Sequence, residues 1–219
     1  FYNDVLGDSI KTYSATNLDD QGAYVTGGDI SAKAELVLRA MTKTKRGREF
    51  LGQFAVKGDV IGGHKFNSNG KYSKYTLNII DVNMRDMKGN FPSLAEGNLS
   101  YEVNSSNKPE FTMQLMTFRD KVPGLVETAA HEFFGHGYKI PSAIKAFENS
   151  GISGFKTALT NQNIDHKALR DQNFKIEGYK QYNEFKDQLI KALPHFKSLI
   201  NDTWNDAHKS YQINYKIIK

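Results

Sequence analysis

The stretch FTMQLMTFRDKVPGLVETAAHEFFGH, residues 111–136, holds two patterns in succession. Phe111, Met113 and Leu115 alternate with Thr112 and Gln114, the period of a half-buried strand. Pro123-Gly124 ends that pattern. Val126, Ala129, Ala130 and Phe133 then recur at i, i+3, i+4 and i+7, the stripe of an amphipathic helix. His131, Glu132 and His136 fall at the end of that helix. A strand feeding a helix that carries two histidines and a carboxylate is therefore the centre from which the remaining elements are read.

Upstream, residues 1–30 are polar and Gly-rich and read as a loop-like lead-in. Ala34, Val37, Leu38 and Met41 form a helical stripe, with Asp29 or Ser31 available as its N-cap. The basic run Lys43–Arg48 interrupts it, and Phe50, Leu51 and Phe54 resume it. Val60-Ile61 precede a Gly62-Gly63-His64 turn, and Asn67–Gly70 is a hairpin turn signal. Tyr75, Leu77 and Ile79 alternate as a strand. Residues 88–109 read as loop, with a short strand at Leu99–Val103. Downstream, a short helix starts near Pro141 and carries Ile144 and Phe147. The last third is helical, with Tyr182, Phe185, Leu189, Leu193 and Phe196 along one side and a split at Pro194. The expected fold is α+β, a single domain over 1–219 with a small mixed sheet, an active-site helix and a helical C-terminal part.

Composition narrows the chemistry. The 219 residues contain no cysteine, which excludes disulfides, thiolate metal sites and a cysteine nucleophile. The net charge of +5 is spread along the chain, and a soluble basic surface explains it without a nucleic-acid partner. No apolar run reaches the roughly 18 residues of a membrane span, and no signal peptide is visible. The chain opens at Phe1 without an initiator Met, as expected of a domain cut from a longer polypeptide or of a processed product.

Two histidines at i and i+4 on a helix, with Glu after the first, form a familiar zinc-protease pattern, because the rings then lie within about 40° of one face. Here the spacing is i+5, which puts them about 140° apart on an ideal helix. Two nitrogens each about 2 Å from one ion cannot be reached that way. A shared metal therefore requires a wide turn or π-type bulge between Glu132 and His136, for which Gly135 offers the backbone freedom.

The run His131-Glu132-Phe133-Phe134-Gly135-His136 resembles the His-Glu-x-x-Gly-His signature of the dipeptidyl peptidase III family of zinc exopeptidases. The resemblance covers these six residues, and the second, Glu-rich zinc motif of that family is not found. It implies a zincin-type metallopeptidase in which His131 and His136 bind Zn²⁺ and Glu132 is the general base. The wider context, a helix with Lys-Thr-Lys-Arg-Gly-Arg-Glu-Phe-Leu, a sheet, then His-Glu-Phe-Phe-Gly-His-Gly-Tyr, resembles the C-terminal metallopeptidase toxin domains of Rhs and other polymorphic toxins. That resemblance implies a secreted effector delivered into a target cell as part of a larger protein, with a cognate immunity protein as partner.

A catalytic zinc takes three protein ligands and keeps one open position. His166 is the favoured third ligand, with Asp165 as its hydrogen-bond acceptor; Glu177, Glu148, Asp165 itself and Asp171 are the alternatives. His64, His195 and His208 read as turn or surface residues. Tyr138, Tyr179 and Tyr182 are candidate oxyanion stabilisers. The function expected is hydrolysis of a protein or peptide substrate by a zinc-activated water, with Glu132 as base. The rivals are a metal-dependent nuclease, suggested by the pI of about 9.1 and the Lys43–Arg48 run, and a zincin-like domain that binds without turnover.

Overall fold

The computed structural model describes residues 10–18, 24–82, 97–118, 120–159 and 162–217. They form a five-stranded mixed sheet packed against seven α-helices. In space the strands run β2 (Tyr24–Thr26), β1 (Ile10–Leu18), β5 (Thr76–Val82), β7 (Pro109–Leu115) and β6 (Gly97–Val103). The three inner strands are mutually parallel; both outer strands are antiparallel to their neighbours. An α+β architecture with a small mixed sheet is thus present.

Alternation along the strands decides which face packs. Leu77, Ile79, Leu99, Phe111, Met113 and Leu115 join the apolar residues of the helices in one large core. Among the described residues, the opposite face carries a small cluster of Ala15, Ile80, Val82 and Met116. Its polar positions satisfy each other across strands, as where the Asn78 amide donates to Glu110 at 2.5 Å and Thr112 at 3.3 Å.

Residues 10–18 and 24–26 correct the loop-like lead-in expected for residues 1–30. β1 is polar, and of Ile10–Ala15 only Ile10 and Ala15 are buried. Its place comes from backbone pairing on both sides, with β2 and with β5, which side-chain periodicity does not report.

Helix α1 (Ala32–Lys43) is capped by Ser31, whose hydroxyl accepts from the Ala34 N–H. Buried Asp81, at the end of β5, holds that start in place by accepting from the Ser31 N–H at 2.6 Å and the Thr117 hydroxyl at 2.5 Å. Thr44 then ends α1 and caps α2 (Lys45–Gly52), accepting from the Gly47 N–H. Strands β3 (Val60–Ile61) and β4 (His64–Lys65) form a hairpin whose turn places both Gly62 and Gly63 at positive φ. Asn67–Gly70 does turn, but joins no hairpin. Gly70 N–H donates to the Ala55 carbonyl and the Asn69 side chain accepts from Lys57 N–H, so the segment folds back on the end of α2.

After β7 come α3 (Val122–Ala130), a π-helical turn (His131–His136) and a short 3-10 turn (Gly137–Lys139). Helix α4 (Ile140–Ala158) is longer than expected and breaks at Gly151, whose φ is 63°. Helices α5 (Gln162–Arg170), α6 (Glu177–Ala192) and α7 (Lys197–Ile217) follow, with Pro194 at the break between the last two. Tyr182, Phe185 and Leu189 of the aromatic stripe are buried, whereas Phe196 is 55% exposed.

Candidate metal centre

The distortion required by the i+5 spacing is present. His131–His136 form a π turn, and the Gly137 N–H reaches back five residues to the Glu132 carbonyl. A wider turn holds more residues, so His136 returns toward the side occupied by His131. The two Nε2 atoms lie 3.0 Å apart.

The physical reason differs in part from the expected one. Gly135 does not have a positive φ, and a Cβ there would meet only the Leu169 side chain, at 3.4 Å. The close approach is instead at Gly178, on the first turn of α6, where a Cβ would lie 2.6 Å from the Gly135 carbonyl oxygen and 2.6 Å from the Tyr138 ring. The turn is further walled by aromatic packing. Phe133 sits 4.7 Å from Phe50 between ring centroids, and Phe134 sits 5.1 Å from Phe185. All six residues of the turn are buried. Packing thus holds a backbone geometry that an isolated helix would not choose.

Helix α5 brings the third imidazole. His166 Nε2 lies 3.1 Å from His136 Nε2, and the three ring nitrogens all fall within 4.8 Å of one another. Tetrahedral ligands about 2.0–2.1 Å from zinc are separated by roughly 3.3 Å, so the spacing suits one ion. Among the described residues this is the one group of three or more His or carboxylate side chains with such spacing. His131 and His136 are buried; His166 is exposed.

Asp165 occupies a different place from the one expected. Its carboxylate faces His136 Nδ1 at 3.4 Å, and so serves the second histidine rather than its neighbour His166. An Nδ1–H directed at a carboxylate leaves the Nε2 lone pair for a metal. Asp165 also accepts from the Tyr138 hydroxyl at 2.9 Å and pairs with the Lys139 ammonium. Burial pushes its carboxyl up, but the hydrogen bonds from His136, Lys139 and Tyr138 outweigh that and hold it below the usual range.

Glu132 is buried beside the cluster, with Oε1 3.8 Å from His131 Nε2. Its other oxygen accepts from the Leu99 N–H of β6 at 3.0 Å. Burial pushes its carboxyl up, partly offset by His136 and by that N–H. Burial pulls His131 well below the ordinary imidazole range, reinforced by His136 and His166. His166, exposed as a residue but with its Nε2 turned into the cluster, shifts the same way, mainly because that end of the ring loses water and secondly through His136. Both rings thus favour the neutral, ligating form.

The other candidate ligands lie elsewhere. Glu177 pairs along α6 with Gln181 and Lys180. Glu148 binds Lys74 and Tyr75, and Asp171 binds Lys167 and Arg170. His64 packs edge-on against Phe66, His195 is in the turn before α7, and His208 is on α7. Of the three tyrosines, Tyr138 is engaged with Asp165, Tyr182 donates to Glu127 at 2.5 Å, and Tyr179 packs on Phe174. Part of the basic run is engaged within the chain, while Lys43 and Lys45 are exposed. Lys45 and Arg46 pair with Glu49, Arg46 also with Glu184, and Arg48 donates to the Thr42 carbonyl. Among the described residues, no helix is long and apolar enough to cross a membrane.

Gly178, Lys139 and the Leu99 N–H went unforeseen. A backbone donor carries no residue signature, and a glycine at a helix start looks like any other.

Comparison of the chain with protein-family models, curated proteins and solved structures gives no match. Functional argument therefore rests on the site itself.

Proposed function

We propose that this chain is a zinc-dependent peptidase of zincin-like architecture, with His131, His136 and His166 as ligands and Glu132 as general base. The observation that carries the reading is the convergence of three imidazole Nε2 atoms beside a buried glutamate. Three imidazoles with no thiolate suit Zn²⁺ and leave one coordination position open. Zinc bound there would supply an acidified water and a Lewis acid for a carbonyl group.

The chain's own residues supply the rest. Asp165 orients His136 through Nδ1, with Tyr138 and Lys139 holding Asp165 in turn. Glu132 takes the proton of the attacking water and returns it to the leaving amine. The raised proton affinity of its buried carboxylate suits that exchange. His166 is the exposed member of the cluster, the side from which a substrate would approach.

The test joins metal content to turnover. About one zinc per chain is expected, with cleavage of a quenched-fluorescent peptide library. Glu132→Gln should keep the metal and lose about 10²–10⁴-fold in rate. An active Glu132→Gln protein removes the mechanism, and cleavage of DNA or RNA in place of peptides replaces the peptidase reading by the nuclease one.

A further inference from the structure

Strand β6 is one of the two outer strands of the sheet and, among the described residues, pairs with β7 alone. Leu99 stands opposite Met113 in that ladder, yet its N–H turns away from β7 and donates to Glu132 Oε2 at 3.0 Å. In an antiparallel pair alternate residues direct their N–H and C=O groups outward, so Leu99 is at an outward position. Two residues earlier on the same strand, Gly97 lacks the one atom that would keep the helical segment away. A Cβ on Gly97 would lie 2.5 Å from Thr128 Cγ2 and 3.4 Å from Glu132 Cγ. Thr128 and Glu132 are one helical turn apart and both lie against this strand. Strand and helical segment therefore touch at two points, a missing side chain and a backbone hydrogen bond, and both act on Glu132.

We propose that β6 is the positioning element for the general base: the bare Gly97 lets the helical segment approach, and the Leu99 N–H then fixes the Glu132 carboxylate. This rests on Glu132 being the base. Neither residue touches the reacting atoms. They act through Glu132, by holding one carboxylate oxygen so that the other, beside His131, keeps its orientation. A carboxylate swinging free of Leu99 loses the alignment on which proton transfer depends.

The experiment uses the full chain loaded with Zn²⁺ and reads the Leu99 amide by ¹H–¹⁵N NMR together with steady-state peptide cleavage. Glu132→Ala defines the amide resonance without its acceptor. Gly97→Val is expected to move the Leu99 amide to that position and speed its hydrogen exchange. It should lower kcat by about ten- to a hundredfold while KM and zinc content stay at wild-type values. Gly97→Ala gives a smaller change in the same direction. Adding Thr128→Ser to it removes the nearest methyl group and restores both readouts. Where Gly97→Val fails to fold, the Gly97→Ala protein and its Thr128→Ser rescue carry the test. Leu99 amide and kcat unchanged in Gly97→Ala and Gly97→Val overturn the proposal, as does a kcat loss that tracks zinc loss and is not rescued. A wild-type protein that binds zinc but cleaves no peptide defeats the peptidase reading instead, while the Leu99 amide still decides whether β6 holds Glu132.

Discussion

The π turn and helix α5 contribute to one nitrogen cluster under different physical conditions. His131 and His136 stand on a turn whose six residues are all buried and whose two phenylalanines anchor in the core. His166 stands on a nine-residue helix of polar composition and is itself exposed. The first two nitrogens are set by the side-chain packing of the turn. The third depends on how α5 docks, through the Asp165 contacts and the burial of Ala168 and Leu169. On the proposed metal reading, a packed pair plus a docked third imidazole would link metal affinity to α5 stability.

Breaking the pair should have the largest effect. His131→Ala removes a ligand and leaves a cavity in a packed wall, so stoichiometric zinc is lost and the metal-free fold is destabilised by about 2–4 kcal/mol. His166→Ala also weakens zinc strongly, but its exposed side chain leaves the metal-free protein within about 0.5 kcal/mol of wild type. Metal analysis and chemical denaturation in chelator test both halves. Equal destabilisation by the two variants would erase the asymmetry.

Chelation of the wild-type protein isolates the same contrast without mutation. Zinc at a hundredfold over its Kd stabilises the folded state by about 2.7 kcal/mol. On chelation, amide exchange should rise in α5 while the π turn stays protected. Uniform loosening of both would show that the turn, too, needs the ion.

The next effect concerns what holds the turn. Gly178→Ala places a methyl group against the Gly135 carbonyl, a backbone atom that cannot swing aside. The expected cost is about 1–3 kcal/mol, with weaker zinc binding. Gly135→Ala, facing only Leu169, should cost less. The reverse order, measured by thermal melting, would return the π turn to the conformational freedom of Gly135.

How much of this could be seen in the sequence differs between the same two regions. The need for a widened turn followed from spacing, because the i+5 separation and a metal–nitrogen distance of about 2 Å admit few backbones. His166 was singled out as the third ligand by residue type and downstream position, and the fold brings it to the pair. The service of Asp165 to His136 was not legible, since it depends on how α5 lies across the turn. The Leu99 N–H was invisible for the same reason. In the fold, the strongly periodic β7 and α1 were read directly, whereas β1 was not. Its residues Lys11, Thr12 and Tyr13 are not buried, so its strand character resides in backbone pairing and not in alternation. Helix α4 looked short because its pattern breaks at Gly151, where the chain turns and the helix resumes.

Asp165→Asn probes the junction between the two regions. It keeps the shape and removes the charge that fixes the His136 tautomer, so zinc affinity should fall about 10–100-fold while the fold persists. Competition with a chromophoric chelator measures it. An unchanged affinity would confine Asp165 to anchoring α5 through Tyr138 and Lys139.

Acid titration of the metal-free protein distinguishes the regions last and most gently. His131 and His166 have proton affinities lowered in the folded state, chiefly by burial. Above about pH 8 both are neutral whether folded or unfolded and contribute no slope. As the pH falls below that value the unfolded chain takes up protons first, so stability declines toward the folded pKa of each ring. Glu132 acts in the opposite sense: its raised proton affinity means that acidification through its folded pKa favours the native state. Asp165, held low, contributes stability that is lost only in stronger acid. The decline just below pH 6.5 should be steeper in wild type than in His131→Ala, and only slightly steeper than in His166→Ala, whose ring keeps contact with solvent. Denaturant midpoints between pH 5 and 7 measure the difference. A larger loss of slope from His166→Ala than from His131→Ala would mean that the exposed ring, not the walled one, carries the cost of charging the cluster.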